Sequence, residues 1–213
     1  MSEENQESQI PVIENKKIED STIPFKIEIN YPFISGLDDF NQKVEDIINN
    51  ELEEFKKISL ENDQAVKEID PESYAAYPRE YSLVIGYETG LVDSKTISVV
   101  FNIYSFTGGA HGASYYATLN YDVENKKEIK LADIFEGQTD YVQKISDYCM
   151  PKLKQQITER TESQYSGWVE SGAGPDEKNF SVFMIKENSI VFYFAQYQVA
   201  AYAIGDFKVE MPR

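Results

Sequence analysis

Alternating apolar and polar positions near the start of the chain predict two β-strands. β-Branched and aromatic residues recur from Ile10 to Glu19, and a second stretch alternates strictly at Phe25, Ile27, Ile29 and Tyr31. Side chains of a strand point to opposite faces in turn, so this period of two is typical of a sheet with one buried face.

A long helix is predicted after Ser35-Gly36. Apolar residues then recur at spacings of three and four, which place them on one face of a helix: Phe40, Val44, Ile47, Ile48, Leu52, Phe55 and Ile58. The opposite face is acidic, with Glu45, Asp46, Glu51, Glu53 and Glu54. The pattern fades before Pro71, so we expect the helix to end in the 60s.

Three further alternating stretches predict strands at 81–87, 97–107 and 113–123, the first ending at Thr89-Gly90. A short glycine-rich segment, Gly108-Gly109-Ala110-His111-Gly112, joins the second and third, which favours antiparallel pairing. After a turn at 124–127, Ile129 and Leu131 predict a short strand.

The C-terminal part contains a second helical pattern. Thr139-Asp140 can cap it, and its apolar series is Val142, Ile145, Cys149, Leu153 and Ile157. Pro151 removes one backbone donor, which predicts a kink or break near Tyr148. An exposed loop at 167–174, strands at 180–185 and 190–194, an irregular connector at 195–205 and a strand at 207–211 complete the chain.

The order strands, helix, strands, helix, strands predicts an α+β fold with antiparallel sheets, each covered by one long amphipathic helix. Residues 1–9 carry no large apolar side chain after Met1. We therefore expect them to form a flexible tether, because they can bury little surface.

Composition excludes several classes of function. The net charge is −17, with 37 acidic and 20 basic residues, so nucleic acid is not an expected partner. One cysteine, Cys149, and one histidine, His111, cannot form a disulfide or a zinc cage, and no calcium-loop spacing is present. No metal or cofactor is expected. No apolar run approaches the roughly 20 residues of a membrane span.

The segment from Gly108 to Gly112 is the strongest candidate for a functional site, because it contains the single histidine of the chain. Two interpretations remain open. His111 could contact a ligand or act as an acid or base, or it could hold a tight turn that Gly108 and Gly109 make possible. The segment lacks the spacing of phosphate-binding loops. No catalytic residue is assigned, and Cys149 belongs to a helix core.

Tyrosine and phenylalanine are concentrated at Tyr115-Tyr116 and again between Phe192 and Tyr202. Alternation predicts that half of each set is buried and half faces solvent. An exposed tyrosine-rich face could contact a protein or a glycan, so Tyr115 and Tyr197 join His111, Gly108 and Gly109 as candidate binding residues. Packing within the sheet is the alternative.

Two segments resemble known families. Residues 104–135, YSFTGGAHGASYYATLNYDVENKKEIKLADIF, and 192–212 resemble the C-terminal domain of RsiV-type bacterial envelope proteins. Residues 31–52, YPFISGLDDFNQKVEDIINNEL, are similar to the PdaC-like domain that precedes it. The resemblance predicts a PdaC-like domain at 10–77 and an RsiV C-terminal-like domain at 78–213. It also implies a location outside the cytoplasmic membrane, behind a lipoprotein signal or membrane anchor in the full-length protein.

The resemblance implies a binding or sensing role, since lysozyme is the ligand of this region in RsiV. We therefore expect a non-enzymatic, extracytoplasmic domain that recognises a basic, lysozyme-like protein or a cell-wall component such as peptidoglycan. The chain has no anti-sigma segment and no polysaccharide-deacetylase domain, so signalling and deacetylation are not expected to carry over. The alternative is a hydrolase or deacetylase-associated domain acting on wall glycan, with His111 and a nearby carboxylate as acid and base.

Overall fold

The computed structural model describes residues 10–77, 79–161 and 167–213. The tether predicted for residues 1–9 and Pro78, which opens the second predicted domain, lie outside the described residues. Sixteen elements follow one another among the described residues. The helices are α1 (Asp38–Ile69), α2 (Pro71–Ala76), α3 (Leu131–Ile134), α4 (Tyr141–Thr161) and α5 (Trp168–Gly172), with 3-10 helices at Glu177–Phe180 and Tyr202–Ile204.

The strands form two sheets. The first contains β1 (Ile13–Asp20), β2 (Phe25–Ile34), β3 (Tyr81–Val92), β4 (Thr96–Phe106), β5 (Ala113–Asp122) and β6 (Lys127–Glu128) in that order. The second contains β7 (Phe183–Ile185), β8 (Ser189–Phe194) and β9 (Phe207–Pro212). The prediction of an α+β fold rich in antiparallel pairs is confirmed.

One pair of strands departs from the antiparallel prediction. β2 and β3 run parallel, with Phe25 opposite Tyr81 and Ile29 opposite Ile85. The reason is the long connection through α1 and α2, which returns the chain to the same end of the sheet before β3 begins. The ranges predicted as two domains, 10–77 and 78–213, consequently contribute strands to one sheet.

Helix α1 packs on one face of the six-stranded sheet. Its buried Phe40, Val44, Ile48 and Phe55 belong to one apolar core with the inward side chains of β2 to β5. The helix ends at Ile69, within the range expected from the sequence.

The second sheet and α4 lie on the opposite face. Ile145, Cys149, Leu153 and Ile157 of α4 pack against β7, β8 and β9. Val100 of β4 packs against Met184, Val191 and Tyr193 of the second sheet. Because β8 is covered on both sides, all six of its residues are buried. The prediction that half of the aromatic residues there face solvent is therefore wrong for Phe192, Tyr193 and Phe194.

The prediction near Tyr148 was a kink or a break. Helix α4 continues through Pro151, so no break occurs there, and the kink stays a prediction. A proline within a helix costs about 3 kcal/mol. Cys149 and Leu153, on either side of Pro151, are fully buried in the core, and their packing holds the helical path against that cost.

Other local expectations also require correction. β3 does not stop at Gly90 but continues to Val92 past a register shift. The short strand expected around Ile129 and Leu131 is instead β6 at 127–128 followed by α3, since Leu131 is buried in the core with α4. The expected loop at 167–174 contains α5, whose Val169 is fully buried.

Candidate functional site

The glycine-rich segment between β4 and β5 forms a tight connection at one end of the six-stranded sheet. Gly108 and Gly109 adopt φ values of 105° and 100°, a region that favours glycine. The amide of Asn62, near the end of α1, donates to the carbonyl oxygen of Thr107 at 2.7 Å. The loop is therefore fixed to α1 as well as to its own strands.

His111 projects from this loop and stacks on Tyr202, with ring centroids 3.8 Å apart and an interplanar angle of 23°. Its Nδ1 lies 3.0 Å from the carbonyl oxygen of Gly112, which also accepts from the Tyr202 hydroxyl at 2.9 Å. A carbonyl oxygen cannot donate, so Nδ1 carries the proton of this hydrogen bond. In the neutral ring, Nε2 is then the nitrogen with an available lone pair.

His111 opens onto a cleft of about 380 Å³ between α1 and the ends of β4 and β5. Glu51 and Glu54 of α1 line one side, and Tyr115 lines another. The remaining lining residues are Phe55, Ile58, Ser105, Thr107 and Ala113. The cleft thus combines an imidazole, two carboxyl groups and two hydroxyl-bearing side chains of β4 and its loop.

The Tyr115 hydroxyl donates to Oε2 of Glu51 at 2.5 Å. Burial raises the pKa of Tyr115, and the hydrogen bond to Glu51 and the charges of Glu51 and Glu54 raise it further. Tyr115 therefore remains a neutral donor that orients Glu51, while no hydrogen bond or ion pair within the described residues engages Glu54.

A series of neighbouring aromatic rings, exposed except for the half-buried Tyr202, extends from His111 across the C-terminal part of the molecule. We call Trp168, Tyr197, Tyr202 and His111 the aromatic row. The Tyr202 and Tyr197 centroids lie 5.6 Å apart, and those of Tyr197 and Trp168 lie 6.2 Å apart. Tyr197 is 54% exposed and Trp168 is 37% exposed. The row is a continuous aromatic surface beside an acidic cleft.

The connector that carries Tyr197 is held against β5. Gln196 Oε1 accepts from the backbone N–H of Ser114 at 3.0 Å. Tyr197 itself has a φ of 69°, the left-handed region that non-glycine residues rarely adopt. This backbone conformation is part of the arrangement that presents the Tyr197 ring to solvent.

The predicted site residues fall into two groups. His111 and Tyr115 share the cleft, and Tyr197 is connected to His111 through Tyr202. Gly108 and Gly109 shape the loop but do not line the cleft. The sequence reasoning missed four neighbours of His111 and Tyr197: Glu51, Glu54, Tyr202 and Trp168. The two glutamates were assigned to the acidic outer face of α1, where no local signal separates them from the other carboxylates.

Cys149 lies away from this site, fully buried in the core with α4. Burial raises the pKa of its thiol to about 12. Within the described residues, no three His, Cys, Asp or Glu side chains are grouped so that they could hold a metal ion. A search of the same residues finds no helix with the length and apolar character of a membrane span.

Known proteins are similar in sequence to most of this chain. The deacetylase PdaC of Bacillus subtilis, named peptidoglycan-N-acetylmuramic acid deacetylase, is 29% identical over 182 residues, which are 85% of this chain and 36% of that protein. An esterase of Mycobacterium tuberculosis is 24% identical over 127 residues, 60% of this chain and 53% of the esterase. The chain therefore spans only about a third to a half of these two relatives.

A solved structure shares the fold. A DUF3298-family protein of Bacteroides fragilis superposes with a TM-score of 0.56 at 22% identity, over 95% of this chain and 88% of that one. Residues 18–114 match the family described as deacetylase PdaC, and residues 132–213 match a family described as a protein of unknown function, DUF3298. The chain thus carries a PdaC-type segment followed by a DUF3298 segment, the arrangement predicted from its resemblance to PdaC-like and RsiV C-terminal-like domains.

Proposed function

We propose that this chain is an extracytoplasmic binding module of the bacterial cell envelope, and that its ligand is a cell-wall glycan. The aromatic row beside the His111 cleft is the observation that carries the proposal. A relative named for action on peptidoglycan supports a wall ligand, although that relative is much longer than this chain.

The geometry of the row suits a sugar chain. A pyranose ring has an apolar C–H face and a polar rim of hydroxyl groups. Tyr197 and Trp168 offer flat apolar faces whose rings need little ordering when a ligand binds. Glu51 and Glu54 offer acceptors for hydroxyl or amino groups at the end of the row. Successive sugars could thus stack on the row while one end enters the cleft.

Trp168 makes this proposal directly measurable, because it is the chain's only tryptophan and belongs to the row. We expect the chain to co-sediment with purified peptidoglycan, and a soluble N-acetylglucosamine oligomer to change the Trp168 fluorescence saturably. Tyr197→Ala and Tyr202→Ala should weaken binding by roughly tenfold, as expected for central aromatic contacts.

Tyr77→Ala is the matched control, because Tyr77 is 74% exposed and is not part of the row. It should bind like the unmodified chain. Unchanged Trp168 fluorescence together with no co-sedimentation would contradict the proposal, and so would equal binding by the Tyr197 and Tyr77 variants.

A basic protein is the other ligand class that the chain favours, on the ground of charge. Acidic residues outnumber basic residues 37 to 20, so pairs such as Lys17 with Glu19 and Lys126 with Asp39 leave a large carboxylate excess. Such a surface accelerates association with a cationic protein, and salt suppresses the effect. Titration with lysozyme at low and moderate salt tests this partner, and the absence of a saturable complex at both would remove it.

Hydrolysis of a wall ester or glycosidic bond is the second candidate function. Its support is the available Nε2 of His111 in the same cleft as Glu51 and Glu54, together with the esterase among the relatives. Here His111 would act as the base and a glutamate as the acid. Turnover of muropeptides or p-nitrophenyl esters that is lost in His111→Ala would establish an enzyme, whereas equal background rates would leave binding as the function.

A further inference from the structure

The outer edge of β5 is largely without a partner strand. β6 pairs only at Tyr121 and Asp122, and β5 is the last long strand on that side of the six-stranded sheet. The stretch of β5 before Tyr121 therefore forms a sheet edge within the described residues. Its part from Tyr116 to Asn120 does not line the His111 cleft, so a ligand paired there occupies a different place from the proposed glycan site.

The hydrogen-bond alternation of an antiparallel strand identifies the groups that face this edge. The N–H of Ser114 donates outward to Gln196, and the carbonyl of Asn120 accepts outward from the N–H of Ile129. β4 and β5 pair without a register shift between these points. The N–H and C=O of Tyr116 and Thr118 consequently also point outward, and no described group bonds to them.

The two edges of the sheet differ in chemistry. β1, at the other edge, carries charged residues at Glu14, Lys16, Lys17, Glu19 and Asp20. Charges of this kind protect exposed edges from pairing with other chains. The segment from Ala113 to Leu119 contains no charged residue, proline or glycine. The β5 edge therefore lacks the usual protection.

A cavity of about 530 Å³ adjoins this edge. Thr118 lines it together with the apolar side chains of Ile129, Leu131 and Phe183. Lysines and carboxylates, namely Glu128, Lys130, Asp176, Glu177 and Lys178, surround the opening. Its volume lies within the range of sites for small ligands. The cavity therefore brings three features together. It has an apolar floor, its rim carries both positive and negative side chains, and it lies beside the unpaired backbone groups of β5.

We propose that β5 binds an extended peptide by strand addition. The peptide backbone pairs with the outward groups of Tyr116 and Thr118, and an apolar side chain enters the cavity above Leu131 and Phe183. Charged residues or termini at the two ends of the peptide face the rim of the cavity. There the lysines of the protein can pair with a negative group of the peptide, and its carboxylates can pair with a positive one. Main-chain hydrogen bonds supply affinity in this mode, and the pocket supplies selectivity.

The probe is the fluorescein-labelled pentapeptide Lys-Val-Leu-Val-Glu, which has an extended preference, a central apolar residue and ends of opposite charge. We expect saturable binding by fluorescence polarisation and a large loss when the central leucine of the peptide is replaced by aspartate. Two N-methylated peptides, one at the central residue and one at its neighbour, give the sharper test. Adjacent N–H groups of a strand point to opposite sides, so one isomer should bind roughly tenfold more weakly while the other is unaffected.

The matching change in the protein is Thr118→Pro, which removes the outward-facing N–H of Thr118. Because this N–H forms no hydrogen bond with β4, the strand can accept proline at this position. Binding should fall by roughly tenfold or more, whereas Thr118→Val, which keeps the N–H, should bind normally. The peptide series on the unmodified chain gives a result even if Thr118→Pro fails to fold. Equal binding of both N-methyl isomers, no saturation at about 1 mM peptide, or unaltered binding by folded Thr118→Pro would overturn the proposal.

Discussion

Removing one buried hydroxyl should test how the two sheets are held together. Ser98 Oγ donates to Asn120 Oδ1 at 2.6 Å and accepts from the N–H of Ile185 at 2.8 Å. The Asn120 amide in turn donates to the carbonyl of Phe183 at 2.9 Å. Ser98 is fully buried and Asn120 is 2% exposed. This network joins β4 and β5 of the first sheet to β7 of the second.

The variant Ser98→Ala leaves two buried groups without their partner, the N–H of Ile185 and Oδ1 of Asn120. Each such group costs about 1–3 kcal/mol when it loses its hydrogen bond inside a protein. The methyl group that remains keeps most of the packing, so the cavity contribution is small. We therefore expect the free energy of unfolding to fall by about 2–6 kcal/mol, twice the cost of one such group.

Equilibrium unfolding in urea, followed by circular dichroism, measures this change. The slope of the free energy against urea should stay constant, because the surface exposed on unfolding is nearly the same. Ser171→Ala is the control, since its exposed hydroxyl donates to the carbonyl of Trp168 and should cost less than about 1 kcal/mol. If the two variants lose equal stability, the Ser98 network does not hold the sheets together.

Two further predictions concern side chains whose pKa is raised by burial. Because burial raises the pKa of Cys149 to about 12, the native chain should resist iodoacetamide at pH 8 and react only after unfolding; rapid native alkylation would contradict this. Burial, together with the hydrogen bond to Asp63, raises the pKa of Tyr81 to about 12 from 10.0. Its contribution to stability should be complete below pH 10 and be lost as the pH rises towards 12. Tyr81→Phe should weaken this alkaline loss in urea titrations, and an unaltered pH profile would refute the assignment.

Local patterns in the sequence were sufficient to predict those parts of the fold that depend on residues close together along the chain. The spacing of Phe40, Val44 and Ile48 predicts α1 because a helix repeats within four residues. The β4–β5 hairpin is likewise predicted from two alternating stretches and a short glycine-rich link, and the structure pairs these strands antiparallel. The parallel pairing of β2 with β3 could not be found this way, because no local pattern records which strand returns beside β2 after α1.

The candidate site was predictable only in part for the same reason. His111 and the glycines before it stand out in the sequence because they are unusual and adjacent. Glu51 and Glu54 lie about 60 residues earlier on an acidic helix face, where nothing distinguishes them from Glu45 or Glu53. Only the packing of α1 across β4 and β5 brings them into the cleft. Tyr202 was visible as one of many aromatic residues, but its stacking on His111 was not.

The contact between the sheets also bears on how the two family segments depend on each other. Gly90 of β3 lies so close to β7 that a Cβ at this position would overlap the carbonyl oxygen of Ile185. Val100, in the segment that matches PdaC, is fully buried against the second sheet. A sheet that carried α1 alone would expose this apolar face and the Ser98 network to water. The DUF3298 segment therefore completes the core of the PdaC segment. Trp168, Tyr197 and Tyr202 of the aromatic row come from the C-terminal part and continue from His111 at the cleft, so their position relative to the cleft depends on that shared core.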